Sequence, residues 1–182
     1  KGKGKGKGKH QEASKPKADQ SDISKLLLVV GKITSVGRHP NADKLYVEQV
    51  DIGKKTLQVI SGLVEHVPED QMKDRMVIVL ANVKPSNLKD VQSAGVVLVA
   101  TSSDGVTKEP LLPPAGCVPG DVVLFDGETD PPEEQLNPKK KAWDTVKKDL
   151  KTDANGIACY KDKPFTTAHG KVTSSVQGGT VA

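Results

Sequence analysis

Residues 26–36 read Leu26-Leu27-Leu28-Val29-Val30-Gly31-Lys32-Ile33-Thr34-Ser35-Val36. The run is apolar and rich in β-branched side chains, with Gly31 breaking it, the composition of a long strand bent at a barrel corner. Downstream, His39-Pro40-Asn41-Ala42-Asp43 is turn chemistry, residues 45–52 return to strand formers, and Gly53 marks a second turn before residues 56–60. These segments predict the first three strands. Pro68-Glu69-Asp70-Gln71 predicts a brief helix, because proline and acids suit the first turn, where N–H groups are orphaned. Residues 76–80 form a continuous apolar strand, residues 82–94 a polar loop, residues 96–100 a further strand, and residues 122–125 the last. Short strands in series with one small helix predict an all-β fold, a five-stranded OB-fold barrel over residues 23–126.

Beyond Phe125 the pattern changes. Asn137-Pro138 has the form of an N-cap with proline at the first helical position, and Trp143, Val146 and Leu150 follow at helical spacing towards Gly156. Short strands are predicted at residues 157–160, 165–167 and 171–176, too few for a core of their own. Residues 127–182 are therefore expected to form a small C-terminal α/β appendage docked on the barrel. At the other end, residues 1–9 alternate lysine with glycine, and the stretch to Ser21 has almost no apolar side chain. Such a segment cannot offset the entropy of ordering, so residues 1–22 are expected to be a flexible basic arm.

Charge follows this division. Residues 1–25 carry eight lysines against Glu12, Asp19 and Asp22, a net of 8 − 3 = +5, which leaves 4 − 5 = −1 for residues 26–182. A nearly neutral body can hold a polyanion only through a local patch. No apolar run approaches the roughly twenty residues of a membrane span, and the first residues lack a secretory pattern, so a soluble, cytoplasmic chain with no membrane partner is expected. Cys117 and Cys159 are far apart and outside any Cys-x-x-Cys spacing, which points to neither a disulfide framework nor a zinc cluster. No nucleophile with its base, no metal-ligand cluster and no phosphate-loop spacing occurs, so neither catalysis, a cofactor nor a metal is expected.

The segment Asn82-Val83-Lys84-Pro85-Ser86-Asn87-Leu88-Lys89-Asp90-Val91-Gln92-Ser93-Ala94-Gly95-Val96 holds the main binding candidates. Lys84 and Lys89 can meet phosphates as point charges, and Asn82, Asn87, Gln92 and Ser93 can bond sugars, phosphates or splayed bases. Gly95 would permit close approach. The competing reading is that the asparagines cap turns and the lysines are merely solvated. Lys32, Arg38, Lys44 and Lys54 are further cations around the first strands. Lys139, Lys140 and Lys141 open the predicted helix, where positive charge opposes the dipole and serves either phosphate binding or solubility. His39 and His66 read as turn or packing residues and Trp143 as core. Of five aromatic residues only Tyr46 and Phe125 fall in the predicted barrel, which favours folded RNA read by shape and backbone over base stacking on single strands.

The chain resembles the tRNA-binding domain family of endothelial monocyte-activating polypeptide II. The similarity runs from about Ile23 to the C-terminus, through Val30-Gly31-Lys32-Ile33, residues 39–48, Ile60-Ser61-Gly62-Leu63-Val64, Asn82-Val83-Lys84-Pro85, Val118-Pro119-Gly120-Asp121 and Leu136-Asn137-Pro138-Lys139-Lys140-Lys141. The resemblance implies an OB-fold that binds tRNA broadly and without catalysis, free-standing in a multi-synthetase complex or fused to a methionyl- or tyrosyl-tRNA synthetase. Its partners would be tRNA and a synthetase in cis or in trans. The C-terminal extension would mimic a dimer partner, giving a monomer of pseudo-dimeric architecture, and residues 158–167 are similar to the end of plant-type methionyl-tRNA synthetases. The tRNA face would include the loop after Asn82 and Ser93-Ala94-Gly95-Val96, where Val96 replaces a usual methionine and Lys89-Asp90 stands where an Arg-Gly pair is common. The family also implies an alternative, a scaffold that assembles synthetases or a cytokine-like released fragment.

Overall fold

The structure, a computed structural model, describes residues 21–182. All of the expected basic arm except Ser21 and Asp22 lies outside the described residues. A single helical turn, α1 (Asp22–Lys25), buries Ile23 and Ser24 and leads into β1 (Leu28–His39). β2 (Ala42–Asp51), β3 (Thr56–Ser61), the one-turn helix α2 (Glu69–Met72) and β4 (Met76–Leu80) follow. A hairpin of β5 (Ser86–Leu88) and β6 (Val91–Ser93) precedes β7 (Val96–Val97). Five of these strands form one antiparallel sheet in the order β3-β2-β1-β4-β7.

Gly31 has a different role from the expected corner. A Cβ there would lie 2.6 Å from Val50 Cγ1, so the residue lets β2 pack close. The irregularity falls at Thr34, where the register slips between the pairs Ile33↔Val50 and Ser35↔Gln49. Extra backbone of this kind on one strand bends it locally and increases its twist.

The first sheet separates two apolar cores. Leu28, Val30, Ile78 and Leu80 face one of them, and Val29, Val77 and Val79 face the other. Burial on both faces explains why these strands read as continuous apolar runs and not as alternation. The first core also contains Leu136, Val146, Leu150, Tyr160, Phe165 and Val181, so the C-terminal segment packs directly on the sheet. Phe125 joins the two by edge contacts with Phe165 at 4.9 Å and Tyr160 at 6.1 Å.

A second sheet carries the chain after β7. Its strands are β8 (Val99–Thr101), β9 (Lys108–Pro110), β10 (Leu150–Thr152), β11 (Ala158–Tyr160) and β12 (Lys163–Pro164). The short pair β13 (Thr166–Thr167) and β14 (Gly170–Lys171) intervenes before β15 (Thr180–Val181) completes the order β12-β11-β10-β15-β8-β9. The single strand expected at residues 96–100 is thus two strands in different sheets. Residues 122–125 make only isolated bridges, such as Val29↔Val122 and Leu124↔Thr166. The long helix expected after Asn137 is also absent. A 3-10 turn at Pro138–Lys140, the helix α3 (Ala142–Val146) and a second 3-10 turn at Lys147–Asp149 replace it. Lys141 interrupts helical geometry with a left-handed backbone at φ 54°, and Leu150 is buried as the first residue of a strand.

The described chain is mostly β, and the ladder of the first sheet stays open. No ladder joins its outer strands β3 and β7. What crosses that seam is the Ala94 N–H, which donates to Gln58 O at 2.7 Å, and the Ile60 N–H, which donates to Ser93 Oγ at 3.1 Å. Among the described residues, no helix is long and apolar enough to cross a membrane.

Candidate nucleic-acid interface

The polar segment after Asn82 is a built hairpin and not an irregular loop. Ser86↔Ser93, Asn87↔Gln92 and Leu88↔Val91 pair across it, and Lys89-Asp90 turns it with φ of 52° and 73°. Two positive φ values in a two-residue connection are the type I′ requirement, usually met by Asn-Gly or Asp-Gly. Lys-Asp hides that signal in the sequence.

Three contacts seat the hairpin on the first sheet. His39 is buried in the β1–β2 turn; its Nδ1 accepts from the Asn41 N–H at 2.9 Å, which leaves Nε2 to donate to Leu88 O at 2.8 Å. Asn41 Nδ2 donates to Lys89 O at 2.9 Å. On the sheet itself Gln49 Nε2 donates to Gln58 Oε1 at 2.9 Å, and Gln58 Nε2 to Gln92 O at 2.8 Å. His39, Asn41 and Gln58 were not candidates in the sequence. Counting outward from the Gly53 turn pairs Gln49 with Gln58, and that register was the available signal.

The candidate residues divide by what their polar atoms already do. Asn87, Lys89 and Gln92 are exposed on the hairpin with uncommitted side chains, and exposed Lys84 stands at its base. Asn82 is a correction: it is buried, its Nδ2 donates to Lys25 O at 2.9 Å and Glu133 O at 2.8 Å, and its Oδ1 accepts from the Leu27 N–H at 3.1 Å. Its amide ties together the segments at Lys25, Leu27 and Glu133. Ser93 is another, since its hydroxyl takes the Ile60 N–H and donates to Gly95 O at 3.2 Å. Gly95 is close to Leu80 O, 3.1 Å from where a Cβ would sit, so the approach it permits is internal.

The other cations are scattered. Lys44 pairs with Glu65 at 3.7 Å. Arg38 lines a concavity of about 430 Å³ beside Glu65 and Glu69, whose charges oppose an anionic ligand. Lys32 is half-buried in mid-strand opposite Asp51 and Met76. Lys139, Lys140 and Lys141 are exposed, and Lys141 lines a second concavity together with Lys84. None of Lys84, Lys89, Lys139, Lys140 and Lys141 has an ion-pair partner among the described residues. Such solvated, uncompensated lysines meet phosphate without first breaking a pair. Tyr46 and Phe125 are buried, and Tyr46 spends its hydroxyl on Val67 O at 2.7 Å, so neither ring can stack a base. Among the described residues no group of His, Cys, Asp and Glu is arranged to hold a metal ion.

The "Putative tRNA binding domain" family model matches residues 28–122, from the start of β1 past the hairpin. The chain belongs to this tRNA-binding domain family. It is 44% identical over 169 residues to the cytoplasmic methionine–tRNA ligase of Arabidopsis thaliana, covering 91% of this chain and 21% of that protein. It is 46% identical over 157 residues to aminoacyl tRNA synthase complex-interacting multifunctional protein 1 of Cricetulus griseus, covering 85% of this chain and 43% of that one. The chain thus spans less than half the length of these relatives. In structure it is similar to the C-terminal domain of Plasmodium vivax p43, with a TM-score of 0.83 at 29% identity, over 89% of this chain and 99% of that one. The hairpin lies inside the matched family region, whereas Lys139–Lys141 and Trp143 lie beyond it.

Proposed function

We propose that this chain binds tRNA without acting on it chemically and holds it for an aminoacyl-tRNA synthetase, in cis or in trans, in the cytoplasm. The observation that carries the reading is the β5–β6 hairpin, which presents Asn87, Lys89 and Gln92 to solvent while His39, Asn41 and Gln58 fix its backbone. A fixed presentation lowers the ordering cost of binding. In OB-folds the face of the second and third strands and the loops after the first and fourth strands bind oligonucleotides. Here the β1–β2 turn and the hairpin after β4 touch each other beside β2 and β3, and the Ala94–Gln58 bond draws the open edges together, which supports an OB-type barrel over residues 23–126.

In this reading the hairpin, Lys84 and Lys139–Lys141 grip phosphates and sugars of a folded RNA. The lysines of residues 1–22 add non-specific attraction and raise the effective concentration of tRNA near a linked catalytic domain. Residues 127–182 serve as the appended half of a pseudo-dimeric monomer, supported by the core they share with the first sheet. The test is a salt-titrated tRNA-binding assay with nuclear magnetic resonance mapping. Log affinity falls with log salt at about 0.7–0.9 per phosphate neutralised, and amide signals at residues 84–93 move. A salt-insensitive complex, or silence at the hairpin, refutes the reading.

A scaffold role is the second reading, favoured by the exposed Leu112, Val122 and Leu124. Removal of residues 1–22 separates the two, because tRNA affinity falls and synthetase docking survives.

A further inference from the structure

The chain contains a single tryptophan, and among its five aromatic residues Trp143 is the one that is not buried. It packs in part against the first core, and it also lines a cavity of about 180 Å³ between the base of the hairpin and the turn before α3. Val83 and Leu136 supply apolar lining, Lys84 and Lys141 supply positive charge, and Asn137 adds an amide. The volume is below the roughly 300 Å³ at which drug-sized sites begin, which suits one ring system and not a chain of them.

Each chemical component matches one part of a nucleotide. A partly exposed indole ring with apolar neighbours can stack a base of any identity on its face. Lys84 and Lys141, without ion-pair partners among the described residues, can meet the phosphates on either side of it. Asn137 Oδ1 already accepts from the Lys139 N–H at 3.0 Å, so its Nδ2 is the group left to donate to a base edge or a ribose. Asp144 also borders the cavity, but Lys147 lies 3.4 Å from its carboxylate and offsets its charge. Lys141 holds a left-handed backbone, a conformation that costs a non-glycine residue energy and recurs at ligand clamps.

We infer that this cavity is a subsite for one unpaired nucleotide of the bound RNA, with Trp143 as its stacking platform and Lys84 and Lys141 as its phosphate contacts. The inference rests on the tRNA-binding reading and adds to it a stacked base, for which the hairpin has no aromatic ring. The subsite takes a single-stranded end or a base splayed from a loop, since a paired base cannot enter.

Trp143 is its own reporter. A single-stranded adenylate tetranucleotide quenches the tryptophan emission of the full chain saturably, and a blunt RNA duplex does not. K84Q/K141Q weakens the tetranucleotide about tenfold, and W143L weakens tRNA binding about tenfold, the scale of one stacked base. The lysine variants change only exposed side chains, so they test the subsite even if W143L fails to fold. If tRNA binds with unmoved Trp143 emission, or if K84Q/K141Q holds the tetranucleotide like the unaltered chain, the subsite is overturned. If tRNA does not bind while the tetranucleotide still quenches, the subsite stands and the tRNA reading falls.

Discussion

His39 Nε2 lies 2.8 Å from the carbonyl oxygen of Leu88, and this one bond joins positions 49 residues apart. It fixes the hairpin from beneath, because the ring is buried and its other nitrogen is committed to the Asn41 N–H. Removing the imidazole takes away its bond to Leu88 O and the acceptor of the Asn41 N–H, each worth about 0.5–1.5 kcal/mol. H39A is expected to speed amide exchange at residues 88–91 and to weaken tRNA binding severalfold. Unchanged exchange in a folded variant would show that the hairpin stands without the histidine.

Lys89 and Asp90 both adopt positive φ in the hairpin turn, which glycine accepts without steric cost. Left-handed backbone costs a residue with a Cβ about 1 kcal/mol or more, somewhat less for Asp. D90G is therefore expected to raise stability by about 1 kcal/mol in chemical denaturation. It also removes a negative charge beside Lys89, so tRNA affinity at low salt rises. A loss of stability would mean that Asp90 makes an unseen contribution to the turn.

How much of this was legible follows from particular residues. The first strands could be read because their interiors are apolar and their turns use His-Pro-Asn and Gly. The helix after Asn137 misled because Trp143, Val146 and Leu150 keep a spacing of three to four residues, although a left-handed Lys141 interrupts the helix before Trp143 and Leu150 already belongs to a strand. Local pattern does not encode that break. Asn82 misled for another reason: a polar residue at the head of a polar segment resembles a binding group, and its three partners, at Lys25, Leu27 and Glu133, exist only in the folded chain. The exposure of Lys89 and Gln92 was legible because solvent-facing side chains go with a polar segment.

Asn82 yields a prediction of the opposite kind. Its amide satisfies three backbone groups, all of them more than fifty residues away. N82A strips all three partners and is expected to cost about 3 kcal/mol of stability. At a temperature where the variant is fully folded, the salt slope of tRNA binding should match that of the unaltered chain. A lower slope with intact stability would place Asn82 at the RNA after all.

Lys89 and Lys44 make a matched pair. Both are exposed, but Lys44 is held by Glu65 at 3.7 Å while Lys89 has no acidic partner among the described residues. A lysine that neutralises one phosphate adds about 0.7–0.9 to the slope of log affinity against log salt. K89Q should lower the slope by about that amount and K44Q should leave it alone. Equal effects from the two would mean that the body attracts RNA by diffuse charge and not through the hairpin.

Glu48 sits inside the second core beside Val50 and Val59 with no solvent exposure. The Ser61 hydroxyl donates to its Oε2, while Oε1 is buried without a partner. Burial disfavours the charged form and pushes its pKa up from 4.5 to about 7, against the opposing pull of the Ser61 bond. Below pH 4.5 the carboxyl is protonated in both the folded and unfolded chain and costs nothing. Between pH 4.5 and 7 the unfolded chain gives up the proton first, so stability falls as pH rises and then levels off. At about 1.4 kcal/mol per unit the total is about 3 kcal/mol. E48Q cannot ionise, so any fixed cost of its amide cancels between two pH values. Denaturation at pH 4.5 and pH 8 should show the unaltered chain losing about 3 kcal/mol more than E48Q across that interval. Parallel losses would mean that Glu48 titrates as if exposed, and that the core admits water around its carboxylate.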